Sequence, residues 1–135
     1  MTGAPALAID AVLGSLRFDA QGLVAAIAQQ HDTNEVLMLA WMNRDAVEET
    51  LRTGEVCYWS RSRGKLWRKG ESSGQVQRLI EFRFECDGDA VLLRVDQTGV
   101  ACHTGRRTCF YRALRDGKLV SIVDVTVDPN ALYRL

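Results

Sequence analysis

The sequence predicts an α+β fold, mostly antiparallel sheet with one main helix, in a single domain. Three observations predict it. Apolar, β-prone runs separated by short polar turns dominate the chain; one amphipathic stretch carries both a cap and a stop; and 135 residues without a linker or repeat suffice for one core but not two. Apolar residues make up 47% and charged residues 25%, with only two prolines, which argues against a disordered chain.

Taken in order, the first 16 residues lack a basic start and their apolar stretch breaks at Asp10, so no signal peptide is expected. No apolar run approaches the ~18 residues of a membrane-spanning helix. The expectation is a cytoplasmic protein without a membrane partner. Residues 22–30 (GLVAAIAQQ) and 36–42 (VLMLAWM) flank a polar HDTNE turn and read as a hairpin of buried strands. Asn43 is placed to cap a helix, with Asp45 in the first turn, Val47 and Leu51 on one face and Gly54 as the stop. Residues 56–60 (VCYWS) are β-prone, and the strand pattern resumes at Leu66–Trp67 after RSRGK. Residues 75–86 and 90–95 alternate in part around DGD, a hairpin signal. Residues 119–127 form the expected last strand.

Seventeen basic and 17 acidic residues cancel, which argues against a chain that coats nucleic acid or an anionic membrane. The distribution is uneven. Arg61, Arg63, Lys65, Arg68 and Lys69 gather without an acid among them, Arg106, Arg107, Arg112 and Arg115 form a second basic cluster, and Glu85, Asp87 and Asp89 surround Cys86. Charge runs of this kind are often plain solvated surface, so chemistry has to come from the accompanying motifs.

The four cysteines are Cys57, Cys86, Cys102 and Cys109. In a chain expected to stay reduced, metal binding or catalysis gains weight over disulfides. Cys57 sits in an apolar strand and reads as core. Cys102 and Cys109 bracket the loop CHTGRRTC, which can fold both thiols toward one point, with Cys86 upstream. Three thiolates would leave a tetrahedral zinc one open position for water; the alternative is three small buried residues. If 85–89 is extended, Glu85, Asp87 and Asp89 share one face and Cys86 takes the other. The carboxylates then suit Mg²⁺ or Ca²⁺, while Cys86 meets Cys102 and Cys109 across a separate packing surface, such as a subunit interface. A merely hydrated acidic turn is the alternative. His103 diverges from Cys102 in extended backbone and is a candidate general acid or base; in a loop it becomes a candidate fourth ligand. His31, in the polar turn, reads as surface.

Three segments, VLMLAWMNRDAVEETLRTGEVCYWSRSRGKLWRKGESSG, ECDGDAVLLRVDQTG and ACHTGRRTCFYR, cover most of residues 22–113. Together they resemble the phosphoribosyl-AMP cyclohydrolase family of histidine biosynthesis, with 1–135 as one such domain. The resemblance implies a hydrolase that opens the adenine six-membered ring of N1-(5-phosphoribosyl)-AMP between N1 and C6, the third step of that pathway. It implies an intertwined or closely packed homodimer with one zinc per subunit, held by Cys86, Cys102 and Cys109 shared across the two chains. It implies Mg²⁺ on Glu85, Asp87 and Asp89, where Glu85 replaces the aspartate usual in the family and adds a methylene. Attack on an amidine carbon at neutral pH needs hydroxide, which a zinc-bound water provides, and His103 is the expected catalytic proton carrier. The substrate carries a phosphate at each end. Ser60, Arg61, Arg63, Lys69, Ser72 and Ser73 are assigned to one end and Arg106 and Arg107 to the other, with Trp67 as a stacking surface or core residue. No room is seen for a fused pyrophosphohydrolase, so a single-function enzyme is expected.

Three other readings compete. YWSRSRGKLWRKG interleaves aromatic and basic residues as single-strand binders do, but the zero net charge, the acidic segment and the missing C-x-x-C pairs oppose a nucleic-acid-binding zinc module. A zinc nucleotide deaminase would attack the same adenine carbon, yet its H-x-E and P-C-x-x-C signatures are absent. A dimer with purely structural zinc is the third.

Overall fold

The 22–42 hairpin forms as expected and founds the main sheet. The structure is a computed structural model that describes residues 3–132. β1 (Val24–Gln30) and β2 (Val36–Met42) pair antiparallel from Val24↔Met42 to Gln29↔Val36. α2 (Arg44–Thr53) follows; the Asn43 side chain accepts from the Ala46 N–H, and Gly54 closes the helix at φ 78° with its N–H on Thr50 O. β3 (Cys57–Ser60) and β4 (Lys65–Arg68) make a separate two-stranded ribbon, and β5 (Gln77–Phe84) with β6 (Ala90–Gln97) makes the next hairpin.

The main sheet has the order β2-β1-β6-β5. Its central β1–β6 pair is parallel, with Ala25 opposite Ala90, and every other strand pair among the described residues is antiparallel. Strict alternation of burial along β1 and β6 follows from the pleat. It turns Val24, Ala26, Ala28, Val91, Leu93 and Val95 into the core, where Val47 and Leu51 of α2 and the buried Tyr58 belong to the same cluster.

Two expectations change at the chain ends. A helix α1 (Ala6–Ser15) of 10 residues equals α2 in length, so α2 is not the single main helix. Its apolar stripe is narrow, only Ile9 and Leu13 being buried, which leaves Asp10 on the solvent side and little periodic signal. The last strand stops at Ser121: β7 (Arg112–Arg115) and β8 (Lys118–Ser121) form a hairpin through Asp116 and Gly117, both at positive φ as a type I′ turn requires. Beyond it the chain runs irregularly to α3 (Pro129–Leu132), because the Thr126 and Val127 N–H groups donate to Gly105 O instead of to a strand.

Candidate active site

The loop carrying Cys102 and Cys109 is closed by hydrogen bonds of its own backbone and by one long-range anchor. The Ala101 and Cys102 N–H groups donate to Arg107 O and Arg106 O, Gly105 N–H turns back onto Cys102 O, and Cys109 N–H is anchored on Leu37 O at the edge of β2. Below the loop lies a buried glutamine network. Tyr58 Oη donates to Gln77 Oε1 at 2.7 Å, Gln77 Nε2 to Gln97 Oε1 at 2.8 Å, and Gln97 Nε2 to Thr98 O at 2.8 Å. Gln75 Oε1 accepts from the Val100 N–H at 3.0 Å. These bonds satisfy backbone groups that would otherwise be orphaned in the interior, and they join the 97–102 segment to the residues following Ser72 and Ser73.

Cys102 is buried and Cys109 opens on the cleft. Thr104 Oγ1 donates to Cys102 Sγ at 3.0 Å. Burial of the Cys109 thiol, with the Cys102 charge beside it, pushes its pKa up to about 12. Lys69 occupies the same corner: burial lowers its pKa, while Cys109 and Cys102 act to raise it. A cleft of about 400 Å³ opens here, lined by Arg63, Lys69, Ser72, Ser73, His103 and Cys109, with Trp67 on its wall. Trp67 also packs on Tyr58, ring centroids 5.0 Å apart, so it serves both core and cleft. A second cavity of about 370 Å³ shares Cys109 and His103 with the first and adds Cys102, Thr104, Tyr111 and Arg112.

Other residues singled out in the sequence lie elsewhere. Ser60 Oγ accepts from the Arg63 N–H at 3.2 Å, holding the β3–β4 turn. Arg61 lies over the Trp41 ring at 4.6 Å and faces a different hollow, between Trp41, Trp59 and Trp67. Arg106 Nε donates to Val123 O at 2.9 Å, and its guanidinium stacks 3.9 Å from the Tyr111 ring. Arg107 donates to Gln97 O, Gly99 O and Glu35 Oε1. The geometry thus commits Arg106 and Arg107 to the loop itself and puts neither on the wall of either cavity. Cys57 is buried, as expected of core. His31 is half-buried, and its carbonyl accepts from Arg94 Nη2 at 2.7 Å.

The acidic segment departs from the extended, two-faced arrangement. Residues 85–89 form a turn in which Glu85 Oε1 accepts from the Asp87 N–H at 2.9 Å and the Asp89 N–H at 3.1 Å. The turn rolls Cys86 round to the carboxylates: the ligand atoms of Glu85, Cys86 and Asp87 all lie within 4.8 Å of one another. Cys86 Sγ is 3.7 Å from Glu85 Oε2. A hydrogen bond from Asp89 holds the Glu85 carboxyl below its usual range, and the same contact raises Asp89.

Cys86 is also far from the other two thiols within one chain. It lies beyond Phe84, which pairs with Val91, whereas Cys109 is bonded to Leu37 on the opposite edge strand. Three strand spacings and some four residues of strand separate the two levels, roughly 20 Å. The sulfurs on one zinc must lie within about 4 Å of each other, given Zn–S bonds near ~2.3 Å. Cys102 and Cys109 fit as two soft ligands of a zinc, and Cys86 of the same chain cannot be the third. Glu85 and Asp87 supply hard oxygen donors of the kind Mg²⁺ takes.

Sequence reasoning missed Thr104, Tyr111 and Met38 as cavity residues. Only the adjacency of Thr104 and Tyr111 to the thiol-bearing loop pointed toward them.

The fold and these cavities define a small α+β protein with a paired-thiol, cationic cleft, and comparison with known proteins narrows the class. Residues 38–111 match the family model of phosphoribosyl-AMP cyclohydrolase. The chain is 67% identical over 125 residues to the phosphoribosyl-AMP cyclohydrolase of Rhodospirillum centenum, covering 93% of this chain and 94% of that one. It is 68% identical over 123 residues to that of Granulibacter bethesdensis, covering 90% and 96%. It is 60% identical to that of Rhodospirillum rubrum, covering 98% and 94%. The chain belongs to the phosphoribosyl-AMP cyclohydrolase family and is an enzyme of that family. Among the described residues, no helix is long and apolar enough to cross a membrane.

Proposed function

We propose that this enzyme hydrolyses N1-(5-phosphoribosyl)-AMP between N1 and C6 in histidine biosynthesis, acting as a cytoplasmic homodimer. The observation that carries the reading is the junction of Cys102, Cys109, Lys69 and His103 at the mouth of a cationic cleft, in a chain of this family. Cys102 and Cys109 would hold a zinc together with Cys86 from a second copy of the chain, since one chain keeps Cys86 roughly 20 Å away. Zinc held there supplies a water of lowered pKa at neutral pH. Glu85, Asp87 and Asp89 would hold Mg²⁺, which supplies positive charge for a substrate phosphate.

The chain's own groups do the rest. Arg63, Ser72 and Ser73 bind one phosphate-bearing arm through charge-assisted and hydroxyl hydrogen bonds. With zinc bound, the Lys69 ammonium would offset part of the negative charge that Cys102 and Cys109 carry as ligands beside it. His103, exposed where the two cavities meet, accepts the proton of the attacking water and returns it at N1 as the ring opens. The N1 ribosyl group makes the ring cationic and activates C6, so the substrate assists its own hydrolysis.

The test is metal analysis combined with an absorbance assay on phosphoribosyl-AMP. Apo protein should regain ring opening only with zinc plus magnesium; full activity without zinc overturns the mechanism. Mixing inactive Cys86→Ser and Cys102→Ser proteins should restore about a quarter of wild-type activity through heterodimers with one intact site. No restoration overturns the sharing of ligands between chains.

A further inference from the structure

The two cavities share His103 and Cys109 on their walls, so a ligand held beside those residues has both hollows available. The first cavity carries Arg63, Lys69 and Arg68, the last paired with Glu49; the second carries one cation, Arg112. Arg106 and Arg107 are tied to backbone carbonyls and line neither cavity. Arg112 is different. It is exposed, its Nη2 donates to Tyr111 Oη at 3.2 Å, and its guanidinium stands 5.3 Å from the Tyr111 ring centroid. The remaining side-chain N–H groups make no hydrogen bond among the described residues. Tyr111 is itself pinned by Arg106 at 3.9 Å, so it offers Arg112 a fixed support. Thr104 adds a hydroxyl to the same wall.

We propose that this second cavity is a phosphate subsite in which Arg112, supported by Tyr111, grips the phosphoribosyl arm that Arg63 does not. The inference rests on the ring-opening reading above. A substrate with a phosphate at each end and its reacting bond in the middle must send the two arms apart. Placing that bond beside His103 puts one arm in each cavity. A guanidinium with unused donors suits a terminal phosphate through paired N–H···O contacts.

The test compares wild type with Arg112→Gln, Arg112→Lys and Arg63→Gln, with Arg115→Gln on the β7–β8 hairpin as a control. Steady-state rates on phosphoribosyl-AMP are read beside calorimetric titration with AMP and with ribose 5-phosphate, the two halves of the substrate. Arg112→Gln should raise KM about ten- to a hundredfold, with kcat changed far less. It should weaken binding of one half only, Arg63→Gln should weaken the other, and Arg112→Lys should recover part of the loss. Arg115→Gln should match wild type. Arg112→Gln within twofold of wild type in KM and in both titrations overturns the proposal, as does loss of the same half in both glutamine variants. Wild-type protein inactive on phosphoribosyl-AMP would defeat the ring-opening reading, and the titrations would still decide whether Arg112 holds a phosphate.

Discussion

Arg107 separates two accounts of the thiol-bearing loop. From residue type and position it is assigned to a substrate phosphate. In the folded chain its Nη1 donates to Gln97 O at 3.0 Å and to Gly99 O at 2.7 Å, and its Nε reaches Glu35 Oε1 at 3.3 Å, with 29% of the side chain exposed. Arg107→Met keeps the apolar stem and removes all three contacts. Hydrogen bonds from a charged donor contribute ~1.5–3 kcal/mol each when well buried. Partial exposure lets water replace some of that, and the pairing with Glu35 adds at most ~1 kcal/mol. The net loss should be about 3 kcal/mol. For a domain of this size that corresponds to a fall in Tm of roughly 10 °C. Thermal unfolding by circular dichroism reads the first quantity. KM on phosphoribosyl-AMP, measured well below the melting range, reads the second and should stay within about threefold of wild type. An unchanged Tm with a tenfold higher KM would refute the structural role and return Arg107 to the substrate.

Two further perturbations probe the same architecture. Gly105 has φ 83°, and a Cβ there would fall 1.9 Å from Val127 O, so Gly105→Ala should cost about 2–4 kcal/mol and expose Cys102 to faster alkylation; a wild-type urea midpoint would contradict this. Burial raises the Cys57 thiol from 9.0 to about 11, so the folded chain holds a proton that the unfolded chain releases between those values. Its contribution is therefore complete below pH 9 and is lost as pH rises through 11, by roughly 3 kcal/mol at most. Cys57→Ala should flatten that alkaline decline relative to wild type, and parallel stability–pH curves would rule it out.

Where local signals are strong, sequence and structure agree residue by residue. Asn43 caps α2, Gly54 ends it in the left-handed region, and the apolar run of 22–30 becomes β1, whose pleat buries alternate residues. α1 escaped notice because only Ile9 and Leu13 of its ten residues are buried, too narrow a stripe to register as a period. The strand expected over 119–127 ends at Ser121: the Ile122 N–H still reaches Tyr111 O, but the Thr126 and Val127 N–H groups donate to Gly105 O, a partner outside the reach of local pattern. At the site, Cys102 and Cys109 were legible as a pair from loop chemistry alone. The extended reading of 85–89 failed because the Glu85 carboxylate accepts two N–H groups of its own loop and closes a turn.

The sequence by itself determined the family, the α+β class, the thiol pair and the presence of two basic clusters, because each is written in residue types at short spacing. Which cations face the cleft was decided only in three dimensions. Arg106 and Arg107 are chemically identical to Arg112, yet the carbonyls of Val123, Gln97 and Gly99 claim the first two, while the third bonds only to Tyr111 Oη among the described residues. The Gln97 carbonyl belongs to a buried residue and must find a donor wherever the chain brings one. That requirement, set by distant segments, separates arginines that hold the loop from one that can hold a ligand. The same packing carries Cys86 to the far end of the sheet from Cys102 and Cys109.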